Sequence, residues 1–132
     1  MEEVYKFLKD CVVFYVATVN DGLPEVRPFG AVDIFEGRMY LQTGNVKKVF
    51  KQMMAKPRIA ISAASEDGMS WIRLSATVVR DDRREARQHM LDANPVLKEM
   101  YAADDGNCEV LYLKDATATF YSFTSAPKTV KF

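Results

Sequence analysis

Short β-branched and aromatic runs, each closed by a tight-turn dipeptide, constrain this chain more than any other feature. "VVFYVATV", Val12 to Val19, ends in "NDGLP", where Asp21-Gly22 supplies the residue types of a two-residue hairpin loop. The next run, "EVRPFGAVDIF", turns at Glu36-Gly37 into "RMYLQT". "RIAISAA", Arg58 to Ala64, is a fourth strand, and "EDG" leads into a fifth, "MSWIRLSATVV". There Ile72, Leu74, Ala76 and Val78 share one face, and Trp71, Arg73, Ser75 and Thr77 the other, so one face is core and the other meets solvent, a ligand or a partner. Two last runs, "CEVLYL" and "ATATFYSF", bring the expectation to about seven strands. Loops this short join antiparallel neighbours, whereas parallel strands need long crossovers.

Helices fill the remainder. Val4, Phe7, Leu8 and Cys11 follow the i, i+3, i+4, i+7 template of a short amphipathic helix. Asp82 with Glu85 has the spacing of a capping box, and Asn94-Pro95 restarts a helix with proline in its first turn, in an excursion running to about Ala103. Strands with three or four helices predict a mainly β, α+β fold, a closed or nearly closed antiparallel barrel with helices packed outside. At 132 residues, with no linker or repeat, residues 1–132 read as a single domain.

Composition narrows the function. Eighteen basic residues balance eighteen acidic ones, which argues against nucleic acid as a partner. The longest apolar run, "CVVFYVA", is too short to span a bilayer, and "MEEVYK" is acidic where a secretory signal is basic, so a cytoplasmic protein that leaves membranes alone is expected. Cys11 and Cys108 lie outside any zinc or Cys-x-x-Cys spacing and read as reduced core residues. His89 is the one histidine, in a charged helix, and reads as a surface residue; no metal or haem site is expected. No Ser/His/Asp set, paired carboxylates or activated cysteine appears.

"QTGNVKKVFKQMMAKP", Gln42 to Pro57, carries a conflict. It reads as the end of a strand, a glycine turn, and a helix capped by Asn45 with an apolar stripe of Val46, Val49, Phe50, Met53 and Met54. A helix N-terminus favours acids, yet Lys47 and Lys48 occupy it. From Arg27 to Arg58 there are seven cations and two acids. Either the lysines form a solvated face, or a compact anion sits before the helix start, with Thr43 and Asn45 adding short donors. If Glu36-Gly37 is a two-residue loop, Gly30 faces Thr43 and Arg27 projects level with Val46, a third cation at that point. Within "RPFG", Pro28 removes a ladder donor and Gly30 a side chain, consistent with an edge or bulged strand, or with a flat ligand lying on exposed backbone.

The ordered set of helix, strand, "NDGLPEVRP", hairpin, "YLQTGNVKKVFKQMMAKPRIAIS" and a Trp-containing strand resembles the FMN-binding split β-barrel family typified by pyridoxamine 5′-phosphate oxidase. The resemblance covers roughly Val12 to Val79. It implies a split barrel of about six to seven strands, FMN as cofactor, and a homodimer with FMN at the subunit interface. It places the phosphate on Arg27, Thr43, Lys47 and Lys48, with Asn45 as cap or additional contact. The flavin ring would lie along Pro28, Phe29, Gly30, Leu41 and Gln42. Trp71 falls where the family often places a flavin-contacting residue, or else is an interface aromatic. The true oxidases carry a C-terminal arginine- and histidine-bearing segment, whereas this chain ends "YSFTSAPKTVKF". Vitamin B6 oxidation is therefore not expected, and the short single-domain relatives, including nitroimidazole-resistance-type reductases, are the nearer likeness. The implied activity is an FMN-dependent oxidoreductase acting on a small organic acceptor, with a nicotinamide or other small donor. The alternative is a flavin-binding electron carrier or sensor.

Overall fold

The computed structural model describes all residues, Met1 to Phe132. Helix α1 (Glu2–Cys11) leads into β1 (Phe14–Asn20) and β2 (Leu23–Phe29), then β3 (Val32–Phe35) and β4 (Arg38–Gly44). Helix α2 (Lys48–Ala55), β5 (Arg58–Ala64), β6 (Ser70–Asp81), α3 (Arg84–Ala93) and a 3₁₀ turn (Pro95–Glu99) follow, and β7 (Cys108–Ser122) and β8 (Lys128–Lys131) close the chain. All strand pairings are antiparallel, in a sheet ordered β2-β1-β5-β6-β7-β4-β3 with β8 on β7.

Both expected hairpins form. Asn20 pairs with Leu23 and Phe35 with Arg38, leaving Asp21-Gly22 and Glu36-Gly37 as two-residue loops. Both central residues have positive φ in each loop (49° and 80°, 50° and 75°), the primed-turn geometry whose twist matches the strands. Glycine meets that demand without a Cβ penalty.

Strand division departs from expectation in three places. "EVRPFGAVDIF" is two strands rather than one, because the chain leaves the ladder at Gly30-Ala31 and changes neighbour from β1 to β4. "CEVLYL" and "ATATFYSF" are one strand, β7, bent by a bulge where Asp115 takes a φ of 50° and the register against β6 shifts between Ser75 and Thr77. The short β8 was not expected; its exposed residues carry no alternation to betray it. The sheet has eight strands, against about seven expected.

Nor is the barrel closed. β2 and β3 are the two ends of the sheet path, yet only Gly30 and Ala31 separate them in sequence. Three extended residues span at most about 10 Å, so the sheet must curl until its two edges nearly meet at this corner. The result is a split barrel. Its interior is filled by one cluster that includes Phe14, Val16, Met39, Leu41, Ile61, Ile72 and Leu74, each at most 2 % exposed. The alternation expected in β6 is observed, with Ile72, Leu74, Ala76 and Val78 buried.

Helix α3 covers the other face of β4, where Tyr40 packs with Ala86, Met90 and Val110. It starts without the expected capping box: Arg83 is the cap residue and makes no side-chain cap bond. The Asp82 carboxylate is instead held by Arg80 and Arg87. His89 is not a free surface residue: its Nε2 lies 2.6 Å from Asp33 Oδ2, and its ring packs 4.5 Å from Phe35. Tyr5 donates to the other Asp33 oxygen, which with burial pushes its hydroxyl up to about 12. Cys108 is buried, but Cys11 is only half-buried.

Candidate functional site

The split opens a cleft of about 400 Å³ where β3 has not yet begun. Pairing of β3 with β4 starts at Val32 and Leu41, so Gln42, Thr43 and Gly44 extend past the end of β3. The chain from Arg27 to Ala31 lies along the same opening. Gly30 and Thr43 therefore share the cleft without facing each other in a ladder, a correction to the register extrapolated from the hairpin.

Seven of the residues singled out in the sequence meet in this cleft: Arg27, Pro28, Phe29, Gly30, Gln42, Thr43 and Lys47. Four do not. Leu41 is fully buried in the barrel core. Lys48 is exposed at the start of α2 and does not line the cleft. Asn45 does not cap α2; its amide donates to Gly106 O at 2.7 Å and Glu109 Oε2 at 3.0 Å, stapling the turn to β7. Trp71 lies on the outer sheet face, stacked on Tyr121 with ring centroids 5.6 Å apart.

Helix α2 begins later than the apolar pattern suggested. Lys47 is its cap position and Lys48 its first residue, so Val46 falls in the turn and is 72 % exposed. The buried face is Val49, Gln52 and Met53. Gln52 was missed because a buried amide breaks an apolar stripe. Its Oε1 accepts from the Thr18 hydroxyl at 2.5 Å and from Arg27 Nη2 at 2.9 Å, and its Nε2 donates to Glu25 at 3.2 Å.

Arg27 is accordingly held inward. Its Nη1 donates to Thr18 Oγ1 at 2.7 Å and to Val16 O at 3.2 Å, tying β2 to β1 and α2. Burial lowers its pKa from the ordinary arginine value, opposed by the charge of Glu25, but arginine stays protonated throughout the accessible range. No acidic side chain lines the cleft, so its net charge comes from Arg27 and Lys47. Such a cleft favours an anion, or a flat molecule with an anionic end.

The opposite wall escaped the sequence reading. Val12 and Val13, from the turn between α1 and β1, face the opening together with Asn94, Val96, Leu97, Met100 and Tyr101. Lys9 Nζ lies 3.5 Å from Asn94 Oδ1, joining the two segments. Val12 has a φ of 66° and ψ of -48°, with the Val13 N–H donating to Cys11 O at 2.7 Å. That is a γ-turn at a β-branched residue, a strained geometry found where a site over-determines it. Val12, Val96 and Met100 are 70 %, 64 % and 66 % exposed, an apolar rim around the mouth. The available signal was their spacing: apolar residues in a short excursion that had no core left to join.

A family model described as pyridoxamine 5′-phosphate oxidase matches residues 1–122. The chain belongs to the pyridoxamine 5′-phosphate oxidase family. A NimC/NimA family protein from Clostridium acetobutylicum is 45 % identical over 100 % of this chain and 92 % of its own, with a TM-score of 0.97. More distant members of the fold include a general stress FMN/FAD binding protein from Xanthomonas citri, 20 % identical, covering 96 % and 93 % of the two chains at a TM-score of 0.70. An FAD-binding protein from Mesorhizobium loti is 16 % identical, covering 92 % and 94 % at a TM-score of 0.64. No curated protein matches the chain. This pyridoxamine 5′-phosphate oxidase family chain has no helix long and apolar enough to cross a membrane, and no cluster of His, Cys, Asp and Glu arranged for a metal.

Proposed function

We propose that this protein binds FMN in the cleft at the barrel split and passes reducing equivalents through it to a small organic acceptor. The observation that carries the reading is the cleft itself: Lys47, Thr43 and the half-buried Arg27 stand beside exposed backbone at Gly30, with no carboxylate to repel a phosphate. Two relatives of the same fold are described as FMN/FAD- and FAD-binding proteins, which agrees with this choice. The flavin, when bound, supplies the redox chemistry between a nicotinamide or other small donor and the acceptor. The chain's share is to hold the phosphate at Lys47 and Thr43, to seat the ring on Pro28, Phe29, Gly30 and Gln42, and to shield it with Val12, Leu97 and Met100. The open mouth favours an enzyme over a carrier or sensor, in which the ring would be covered.

A homodimer completes this reading. No helix covers the outer face of β1, β5, β6 and β7, where Tyr15, Ser62, Arg73 and Thr119 lie in one row across paired strands. Trp71, Tyr121 and the exposed Phe123 extend that face with aromatic surface. Burying it against a second copy would remove apolar area from water and carry Trp71 toward the neighbouring subunit.

Purified protein should show flavin bands or acquire them on titration with FMN. No binding at micromolar FMN overturns the proposal. Light scattering should give the mass of a dimer; a monomer that binds FMN tightly contradicts the shared site.

A further inference from the structure

The turn residues before α2 spend their own amides within the chain. Asn45 N–H donates to Asn107 O at 2.8 Å, Val46 N–H to Asn107 Oδ1 at 3.2 Å, and Lys47 N–H to Gly44 O at 3.1 Å. Beyond the first-turn amides of α2, donors for a ligand at this turn must come from side chains. Two hydroxyl side chains line the cleft, those of Thr43 and Tyr101, and neither has a partner within the chain. Thr43 is 3 % exposed, yet no buried polar side-chain atom is left unpartnered, so its hydroxyl opens onto the cleft that it lines. The same reasoning applies to the half-buried Tyr101.

Gly44 shows how closely the phenol approaches. Its φ is not positive, so its conformation does not call for glycine. A Cβ at this position would instead stand 3.0 Å from Tyr101 Oη and 3.1 Å from the Asn107 side-chain amide. The missing side chain admits the hydroxyl against the turn on the Gln42 side of β4, and Tyr101 lines the cleft together with Thr43 and Lys47. Tyr101 itself is fixed from behind: it packs with Leu97 against the Leu91, Ala103 and Cys108 cluster, and its N–H donates to Leu97 O at 2.8 Å.

Resting on the flavin reading above, we propose that Tyr101 is a phosphate-binding residue, whose hydroxyl donates to the phosphate ester of FMN alongside the Thr43 hydroxyl and the Lys47 ammonium. Arg27, also expected at the phosphate, lines the same cleft and donates inward to Thr18 and Gln52. A neutral donor on the excursion after α3 also ties that excursion to the cofactor, so phosphate binding should order the cleft's apolar wall.

Tyr101→Phe removes the hydroxyl alone. FMN and riboflavin are titrated into wild type, Tyr101→Phe and Gly44→Ala by quenching of flavin fluorescence, with thermal melts of the ligand-free proteins. A charged acceptor strengthens a hydrogen bond, so Tyr101→Phe should bind FMN roughly tenfold more weakly. Riboflavin, lacking the phosphate, should be held within about twofold, and the ligand-free melting temperature should move by no more than about 2 °C, since the hydroxyl has no intramolecular partner. Gly44→Ala, which pushes the phenol away, should repeat the selective loss for FMN. Unchanged FMN affinity in Tyr101→Phe, or equal losses for both flavins, overturns the role of Tyr101 while leaving the cofactor reading intact. Wild type that binds neither flavin overturns the cofactor reading and this role with it.

Discussion

Two basic regions of the molecule treat their charges in opposite ways. On the α3 flank, Arg80, Arg83, Arg84 and Arg87 each meet a carboxylate within 4 Å. At the cleft and along α2, Arg27, Lys47, Lys48, Lys51 and Lys56 have none. Arg80 closes on Glu109, which is 4 % exposed, and Arg83 on Asp81, which is 8 % exposed and also accepts from Tyr40 at 2.8 Å. Paired charges of that kind are structural, joining β6 to β7 and fixing the start of α3 against β6 and β4. Of the unpaired cations, Lys47 lines the cleft without a carboxylate or hydrogen-bond partner for its ammonium and is free to act on something outside the chain.

The largest way to break the contrast is Asp81→Asn. Tyr40 and the partly exposed Arg83 would lose a buried charged acceptor, and stability in urea should fall by about 2 kcal/mol. FMN affinity of the folded fraction should not change; a loss of affinity without a loss of stability would reverse the two regions' roles.

Acid titration reaches the same pair without mutation. Arg83, then Tyr40 and the Arg83 N–H, hold the Asp81 carboxyl below its ordinary value of 3.8, at about 2. Its folded pKa lies below the unfolded one, so its contribution is complete above pH 3.8 and fades as pH falls toward 2. About 2 kcal/mol of stability should disappear across that window in wild type, and the loss should be smaller in Asp81→Asn.

Arg27 is the exception on the cleft side. It lines the cleft but bonds inward, so Arg27→Ala strips a donor from Gln52 and Thr18 and should lower stability by about 1–2 kcal/mol. Because the end of β2 would loosen, FMN and riboflavin should both bind more weakly. A selective loss of FMN with unchanged stability would show that the guanidinium turns outward to the phosphate.

Lys47→Ala is the cleanest probe of the cleft and the mildest for the fold. Stability should stay within about 0.5 kcal/mol, as at most exposed positions. FMN should bind roughly tenfold more weakly than to wild type, the scale of one charge-assisted bond, with riboflavin spared. Lys48→Ala, one step outside the cleft, should have less effect unless a partner subunit carries Lys48 to its neighbour's site.

Much of this was legible in the residues. The hairpins follow from Asp21-Gly22 and Glu36-Gly37, because positive φ at consecutive positions is a local demand that few residue types meet. The face assignment in β6 follows from strict alternation, and the seven cleft residues from a strand, turn and helix start in sequence. Local competition was less legible. Asn45 is a good cap by type, yet it bonds Gly106 and Glu109, residues more than sixty positions away that a local reading does not bring near. Asp82 lost its capping role in the same manner to Arg80 and Arg87.

Turn chemistry, alternation and charge act between near neighbours, and they suffice to specify an antiparallel, mainly β domain with a cationic strand-to-helix turn. Tertiary structure alone decided that the sheet stays split at Gly30-Ala31, that Arg27 turns inward, and that Tyr101 reaches Gly44 across a span of 57 residues. Those outcomes rest on which distant segments pack together. A site assembled at the meeting of two sheet edges exists only once the whole sheet has curled.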